Sequence, residues 1–277
     1  MRLILALLLF STATQAAEPV RLLSAGSSIT ELVLALGAEP QLVAVDSTSE
    51  VPNNKALPKL GYHRQLSAEG ILSTQPNLVI GSEEMGPESA LSLVRQAGVR
   101  VETVPEAQTV AQLQSNILRL GDLLNASQQS QALHNTVAQR ASLLANKLPK
   151  KNPKSTIFLL LGDGNTVQIA GRDTLANSMI QVAGGTNPAV DEVKGYKPVA
   201  MEAIVAMAPE VILISRRSLT KEDPMAQLFK QFPLLRHTPA AQQEAIVPIN
   251  GKALIGGFGL STLAEAERLH QHWLAAP

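Results

Sequence analysis

Two stretches of the chain repeat one pattern: ILSTQPNLVIGS (Ile71–Ser82) and IVAMAPEVILIS (Ile204–Ser215). Each residue of the second stretch lies 133 positions after its counterpart in the first. Both begin with a helix-like segment, turn at a proline (Pro76 or Pro209) and end in an apolar run. A short apolar run without alternation is typical of a strand buried on both faces of a parallel sheet. The repeated unit is therefore helix, proline-led turn and buried strand.

Other parts of the chain extend the correspondence between its two halves. Gly61-Tyr62 in the first half matches Gly195-Tyr196 in the second. Short apolar runs alternate with helix-like segments in both halves, which is typical of parallel sheets covered by helices. A repeat distance this long excludes a solenoid of short units. The sequence therefore predicts an α/β protein of two similar α/β lobes with parallel sheets.

A helical segment separates the two halves. Thr109–Leu148 has helical composition, and Asn125 divides it so that Ser127 becomes a candidate cap for a second helix. We predict a single long interlobe α-helix. The expected organisation is a signal peptide over 1–17, an N-terminal lobe over 18–124, the interlobe helix over 125–150 and a C-terminal lobe over 151–277. Ligands of such folds bind at the carboxyl ends of parallel strands, so we expect the site in the cleft between the lobes.

The first seventeen residues predict export. Arg2 precedes the apolar run Leu3–Phe10, and small residues end the segment at Ala16-Ala17. This is the layout of a cleaved signal peptide, and the apolar run is too short to span a membrane. Export combined with the absence of cysteine favours the periplasm of a Gram-negative bacterium. The equal counts of 23 basic and 23 acidic residues argue against a nucleic-acid partner, and we expect no membrane span.

The candidate ligand-binding loop is Gly61-Tyr62-His63-Arg64. Tyr62 is one of only two tyrosines and lies on a predicted turn outside any apolar periodicity. A phenolate oxygen is suited to ferric iron, and tyrosine is an axial haem ligand in some proteins. Arg64 would favour the phenolate by its positive charge. A packing or rim tyrosine is the alternative. His63 is a weaker candidate ligand, because consecutive side chains on an extended turn usually diverge.

Basic residues gather where the second lobe should face the cleft. They are suited to a ligand that carries carboxylates, although a solvated edge is the alternative. The basic candidates are Arg172, Lys194, Lys197, Arg216 and Arg217. Tyr196, which lies between Lys194 and Lys197, is a candidate for the same site. Phe258 is a further candidate for the pocket wall, and Thr262-Leu-Ala-Glu265 is a predicted capping box that opens the last helix. The remaining histidines lack zinc-site spacing, and no nucleophile elbow or P-loop is present, so we expect no enzyme.

Four segments together resemble the periplasmic haem-binding proteins of ABC haem importers, in the helical-backbone (class III) group of substrate-binding proteins. They are LLSAGSSITELVLALG (Leu22–Gly37), GYHRQLSAEGIL (Gly61–Leu72), LSAEGILSTQPNLVI (Leu66–Ile80) and MEAIVAMAPEVILI (Met201–Ile214). The resemblance implies a monomeric, non-enzymatic carrier whose transported ligand is haem (ferric protoporphyrin IX). It places Tyr62 on the axial tyrosine of that family and Arg64 on the arginine two residues later. The same class contains carriers of ferric siderophores and cobalamin, which remain the alternative.

The resemblance also implies a stoichiometry and a partner. Members that bind two stacked haems use a histidine near the segment that corresponds to Val167–Ala176, which contains none here, so one haem is expected. The partner would be an inner-membrane ABC permease with its ATPase. Members of the family dock on the permease through one acidic residue at the tip of each lobe. The matching residues are Glu88 in the first lobe and either Glu222 or Asp223 in the second.

Overall fold

The computed structural model describes residues 18–52, 56–147, 153–162, 166–215 and 224–275. The predicted signal peptide over 1–17 lies outside these residues. They form two α/β units, each built on its own sheet, as predicted. Within the described ranges, every helix is too short or too polar to cross a membrane.

The N-terminal lobe has a four-stranded parallel sheet in the order β2-β1-β3-β4. Strands β1 and β3 are central, and every residue in them is buried, which explains their mostly apolar character. The strands are β1 (Leu22–Ala25), β2 (Leu42–Val45), β3 (Leu78–Ser82) and β4 (Arg100–Val104). The first five helices are α1 (Ser27–Ala35), α2 (Ala68–Ser73), α3 (Glu88–Gln96), α4 (Val110–Leu123) and α5 (Ser127–Lys147).

The C-terminal lobe has a five-stranded sheet in the order β7-β6-β5-β8-β9. The strands are β5 (Thr156–Leu161), β6 (Val167–Ala170), β7 (Tyr196–Pro198), β8 (Val211–Ser215) and β9 (Ile246–Ile249). The helices are α6 (Leu175–Ala183), α7 (Met201–Ala206), α8 (Pro224–Gln231), α9 (Pro239–Gln242) and α10 (Leu260–Ala275).

One edge of this second sheet departs from the predicted parallel arrangement. Strands β5, β8 and β9 are parallel, but β6 runs antiparallel to β5 and β7 antiparallel to β6. The link from β5 to β6 covers only residues 162–166, which is too short for a crossover and permits only a hairpin.

The sequence repeat corresponds to a structural repeat. Helix α2, Pro76 and strand β3 in the first lobe match α7, Pro209 and β8 in the second. The residue before each proline has a positive φ, which is 50° for Gln75 and 45° for Ala208. The two halves therefore share even the backbone conformation of the turn that leads into the buried strand.

Two helices pack against both lobes. Helix α5 places Val137 in the core of the first lobe and Leu144 in the core of the second. Helix α10 does the same through Leu263 and Leu269. The predicted long helix is present as α5. Helix α10 is a second helix that packs against both lobes, and the sequence did not indicate it.

A two-point ion pair ties these helices together. The Nε and Nη2 atoms of Arg140 on α5 each donate to one carboxylate oxygen of Glu267 on α10, at 2.8 Å. Such forked pairs fix the relative orientation of two elements better than a single contact does. The amino end of α10 is also tied to the first lobe, since Ser261 N donates to Oε2 of Glu31 on α1 at 3.2 Å.

The predicted capping box at the start of α10 is wrong. The helix begins at Leu260, so Thr262 lies inside its first turn rather than before it. The Thr262 hydroxyl donates to the carbonyl oxygen of Ala253 at 2.6 Å, and Glu265 pairs with Arg268 at 2.7 Å. The carboxylate of Glu31 caps the helix instead, and a cap that comes from another lobe cannot be read from a local motif.

Residues 255–259, which we call the strap, run from the second lobe across to the first. The Ser27 hydroxyl donates to the Ile255 carbonyl at 2.8 Å, and Phe258 N donates to the Ala107 carbonyl at 2.6 Å. Gly257 has a φ of 96°, and a β-carbon there would lie 3.0 Å from Glu106 Cγ. Glycine is therefore required where the strap meets the first lobe.

Phe258 occupies a different place from the predicted pocket wall. Its side chain is 1% exposed and belongs to the core of the N-terminal lobe, although the residue follows the last strand of the C-terminal lobe. The strap carries it across. A glycine-flanked phenylalanine gives no sequence signal for which core it enters.

We expect Phe258→Ala to lower the free energy of unfolding by about 3–5 kcal/mol, because it opens a cavity in a core shared by segments far apart in sequence. Urea denaturation followed by circular dichroism measures the change. Leu143→Ala, at a site that is 52% exposed, is the control and should change the free energy by less than about 1 kcal/mol. Equal effects of the two variants would contradict the role of Phe258.

Candidate functional site

The cleft lies between the lobes. Its first-lobe wall is formed by the loops that follow the strands of the first sheet, and the second lobe forms the opposite wall. Two cavities occupy it, of about 400 Å³ and 350 Å³, and they adjoin through Tyr196, Leu254 and Ile255. The larger is formed by both lobes and lined by Tyr62, His63, Arg64, Glu84, Glu106, Gln108, Asp173, Thr174, Leu175, Tyr196, Leu254, Ile255 and Gly256. The smaller is formed by the second lobe and lined by Phe158, Leu160, Tyr196, Ser215, Gly251, Leu254 and Ile255.

Tyr62 stands on the first-lobe wall of the larger cavity. Its backbone is extended (φ −60°, ψ 135°) and it immediately precedes a 3₁₀ turn over His63–Gln65. The amide of Gln65 donates to the Tyr62 carbonyl at 2.7 Å, which closes this turn. Tyr62 is 39% exposed and lines the cavity. The phenol oxygen is therefore accessible to a molecule in the cleft.

His63 belongs to the lining of the same cavity, but its imidazole lies inside the first lobe. Its side chain is buried, and Nδ1 lies 3.4 Å from Oδ2 of Asp46. The Tyr62 and His63 rings meet edge to face, with centroids 4.4 Å apart and planes at 62°. The two side chains diverge as expected for neighbours on a turn. The imidazole thus lies behind the phenol ring instead of beside its oxygen.

Asp46 is a buried carboxylate directly after β2 that sequence analysis missed. It accepts hydrogen bonds from the amides of Gly26 and Thr48, each at 3.0 Å, and from the Ser49 hydroxyl. Burial opposes ionisation, but the neighbouring His63 side chain and the hydrogen bonds from Ser49, Thr48 and Gly26 outweigh it and hold the pKa of Asp46 well below its usual range. A polar residue directly after a buried strand was the available signal.

Two carboxyl groups accompany Arg64 on the first-lobe wall, and they too were missed. Arg64 forms an ion pair with Glu84. Burial raises the pKa of Glu106, and the neighbouring negative charge of Glu84 raises it further. Glu84 lies two residues past the end of β3, and Glu106 lies two residues past the end of β4. Both are at the sheet edge where ligand-contacting residues are expected.

Tyr196 faces the same cavity from the second lobe. It begins β7, and its ring meets Phe158 edge to face at a centroid distance of 6.3 Å. Burial raises the pKa of Tyr196 to about 12, against a smaller opposing effect of the backbone hydrogen bond at Ala176. This tyrosine therefore offers an aromatic face and a neutral hydroxyl.

The predicted basic rim of the second lobe is largely directed elsewhere. Lys197 follows Tyr196 in β7, so the two side chains leave opposite faces of the sheet. Lys194 Nζ lies 3.6 Å from Asp173 Oδ2, and Arg172 Nη1 donates to the Val190 carbonyl at 3.1 Å. None of these three lines either cavity.

Arg216 and Arg217 lie outside the described residues, directly after Ser215, which lines the smaller cavity. Of the predicted basic residues that the structure does describe, Arg64 alone lines the cleft. Within the same part of the chain, no group of three or more acidic or histidine side chains is placed to hold a metal ion.

Glu88, the predicted docking residue of the first lobe, is the first residue of α3. Its side chain is 74% exposed and contacts Arg95 at 2.5 Å. The preceding loop is joined to the Tyr62 loop, since Gly86 N donates to the His63 carbonyl at 2.9 Å. Glu88 thus lies on the loop-and-helix segment beside the cleft. Glu222 and Asp223 lie outside the described residues.

We expect Asp46→Asn to lower the free energy of unfolding by about 1–3 kcal/mol at pH 7, because it removes charge-assisted hydrogen bonds. Because the folded protein depresses this pKa from 3.8, the stabilisation is present above about pH 4 and is lost as the pH falls further. Urea unfolding at pH 7, 5 and 3.5 measures the gap between wild type and variant. Asp122→Asn, at an exposed site on α4, is the control. A gap that stays constant across these pH values would contradict the assignment.

Comparisons with known proteins agree with this architecture. The profile of the periplasmic binding protein family matches residues 22–253. The crystal structure of the periplasmic haem-binding protein HutB of Vibrio cholerae is similar, with a TM-score of 0.87 and 43% identity, over 92% of this chain and 98% of that one. A periplasmic haem-binding protein from Pseudomonas aeruginosa has a TM-score of 0.84 and 36% identity, over 94% of each chain.

A vitamin B12-binding protein of Vibrio parahaemolyticus serotype O3:K6 is 26% identical over 232 residues, which cover 83% of each chain. The family match, over residues 22–253, includes the strands of both sheets. The chain belongs to the periplasmic binding protein family.

Proposed function

We propose that this protein binds ferric haem in the interlobe cleft and delivers it to an inner-membrane ABC permease with its ATPase. The observation that carries the proposal is Tyr62, an accessible phenol on the wall of a cavity between two lobes. The two similar crystal structures with 43% and 36% identity are of haem-binding proteins. Such a carrier binds and releases its ligand unchanged, so no enzymatic step is proposed.

Tyr62 is the proposed iron ligand. Its oxygen can reach a metal in the cleft, and binding to ferric iron would drive its deprotonation. Tyr196 is less suited to this role, because its burial raises the pKa to about 12 and disfavours the phenolate. His63 is not proposed as a ligand, since its ring is buried behind Tyr62.

The smaller cavity is suited to the porphyrin. Phe158, Leu160, Leu254 and Ile255 give it a mostly apolar wall, and Tyr196 connects it to the cavity of Tyr62. A flat apolar macrocycle would gain from leaving water for such a wall. We propose one haem per protein, with its metal toward Tyr62 and its ring along the second lobe.

The propionates would meet a mixed set of charges. Arg64 is the basic side chain of the described lining, and it is already paired with Glu84. The carboxyl groups of Glu84 and Glu106 disfavour a second pair of negative groups on the first-lobe wall. We therefore propose that the propionates point toward the second-lobe side of the cleft, away from Glu84 and Glu106.

Cobalamin is the second candidate ligand, and a ferric siderophore the third. The vitamin B12-binding relative, at 26% identity, supports cobalamin as the second candidate. A ferric siderophore needs no tyrosine directed at its metal, because the chelator already fills the coordination positions of iron. The dependence of binding on the Tyr62 hydroxyl therefore separates haem from cobalamin and from siderophores.

We expect hemin to bind the wild-type protein with an absorption band of ferric phenolate, and Tyr62→Phe to abolish the band and raise Kd more than about tenfold. The Phe variant keeps the aromatic ring and removes only the hydroxyl, which is the proposed bond to iron. Titration followed by visible spectroscopy measures both quantities and the stoichiometry. Tyr196→Phe is the matched control and should retain the band. Binding of cobalamin but not hemin by the wild type would overturn the proposal.

We expect Glu88→Arg to abolish transport while leaving the Kd for hemin unchanged, because its side chain is exposed outside the cavity lining. Growth of a transporter-dependent strain on haem iron, together with hemin titration of the purified variant, measures the two effects. Glu69→Arg, in the first turn of α2, is the matched control and should support normal growth. Normal uptake by the Glu88 variant would remove the docking assignment.

A further inference from the structure

We propose that His63 is a positioning residue for Tyr62: its buried imidazole, fixed at Asp46, holds the phenol ring at the cleft wall in the orientation that binds the ligand. The consequence for haem rests on the function proposed above. The placement of the two rings does not, and it can be tested without a ligand.

The first step is the contact between the two rings. His63 is 0% exposed and Tyr62 is 39% exposed, so one ring lies inside the lobe and the other on its surface. Their centroids are 4.4 Å apart and their planes are inclined at 62°, which is a favourable edge-to-face arrangement. The phenol ring is therefore in contact with the buried imidazole.

The second step is that the imidazole has a fixed position. The His63 carbonyl accepts a hydrogen bond from Gly86 N at 2.9 Å, and Leu66 N donates to the Gly86 carbonyl at 2.8 Å. These two bonds bind the 3₁₀ turn to the loop after β3. The His63 carbonyl is thus tied to the loop after β3, and the His63 side chain is buried inside the lobe.

The third step is the carboxylate beneath the ring. Asp46 Oδ2 lies 3.4 Å from His63 Nδ1, and Asp46 is itself held by the amides of Gly26 and Thr48. Neither ring nitrogen of His63 has a closer polar partner among the described residues. The imidazole is therefore located by Asp46 on one side and by the phenol ring on the other.

The arrangement matters because a tyrosine on an exposed turn has free side-chain torsions. A ring fixed behind it removes the rotamers in which the hydroxyl leaves the cleft, and such preorganisation lowers the entropy lost on binding. Supporting residues behind a ligand residue act on affinity in the same way. From the strength of one aromatic contact, removing the support should speed hemin release about two- to tenfold.

The first experiment needs no ligand. The chain has only two tyrosines, so ¹³C-tyrosine labelling gives ring signals for Tyr62 and Tyr196 alone. His63→Leu fills the space without an aromatic ring, and His63→Phe restores one. We expect the Leu variant to shift the Tyr62 signals and leave the Tyr196 signals in place, and the Phe variant to keep Tyr62 close to its wild-type position. His272→Ala, at an exposed site on α10, is the control and should change neither.

The second experiment measures hemin release and the absorption band of the same variants. We expect faster release and a displaced band for His63→Leu, and release within about twofold of wild type for His63→Phe. Unchanged Tyr62 signals in His63→Leu, or a Phe variant no better than the Leu variant, would overturn the inference. A loss of thermal stability with unchanged spectra and release would also overturn it, since His63 would then be only structural. Failure of the wild type to bind hemin would refute the proposed function, while the tyrosine signals would still decide the placement.

Discussion

Packing across the two lobes is the constraint on which the rest of the structure depends. Helices α5 and α10 each contribute apolar side chains to both cores, and Arg140 and Glu267 fix one helix to the other. The strap adds Phe258 to the core of the first lobe. The two sheets therefore present their ends to each other at a set separation. The cleft is a consequence of this packing, and so is the position of Tyr62 and Tyr196 in the lining of one cavity.

The sequence predicted the architecture well because the architecture rests on local patterns. The repeated unit around Pro76 and Pro209, the buried strands and the helix that starts at Ser127 all follow from periodicity and turn chemistry. The antiparallel edge of the second sheet was not predicted. It depends on the length of one link, and an apolar run looks alike whether its neighbour is parallel or antiparallel.

The site was less accessible to sequence reasoning because its parts belong together only in space. Tyr62 was identifiable from its loop and from the scarcity of tyrosine. Asp46, Glu84 and Glu106 were not, since a lone acidic residue after a strand is common. To predict the role of His63, the direction of its side chain would have to be known. To predict the role of Phe258, the path of the strap would have to be known. Lys197 was misplaced because the alternation of side chains in β7 is evident only once the strand is known.

The double role of α10 has a consequence for how the chain matures. Leu263 and Phe258 complete the core of the first lobe, yet they follow the last strand of the second lobe in the chain. A chain made from its amino end cannot finish that core until the second sheet has been synthesised. The lobe that carries Tyr62 thus stays open to proteases and chaperones until the last helix arrives, and a protein truncated before the strap would lack a complete core in either half.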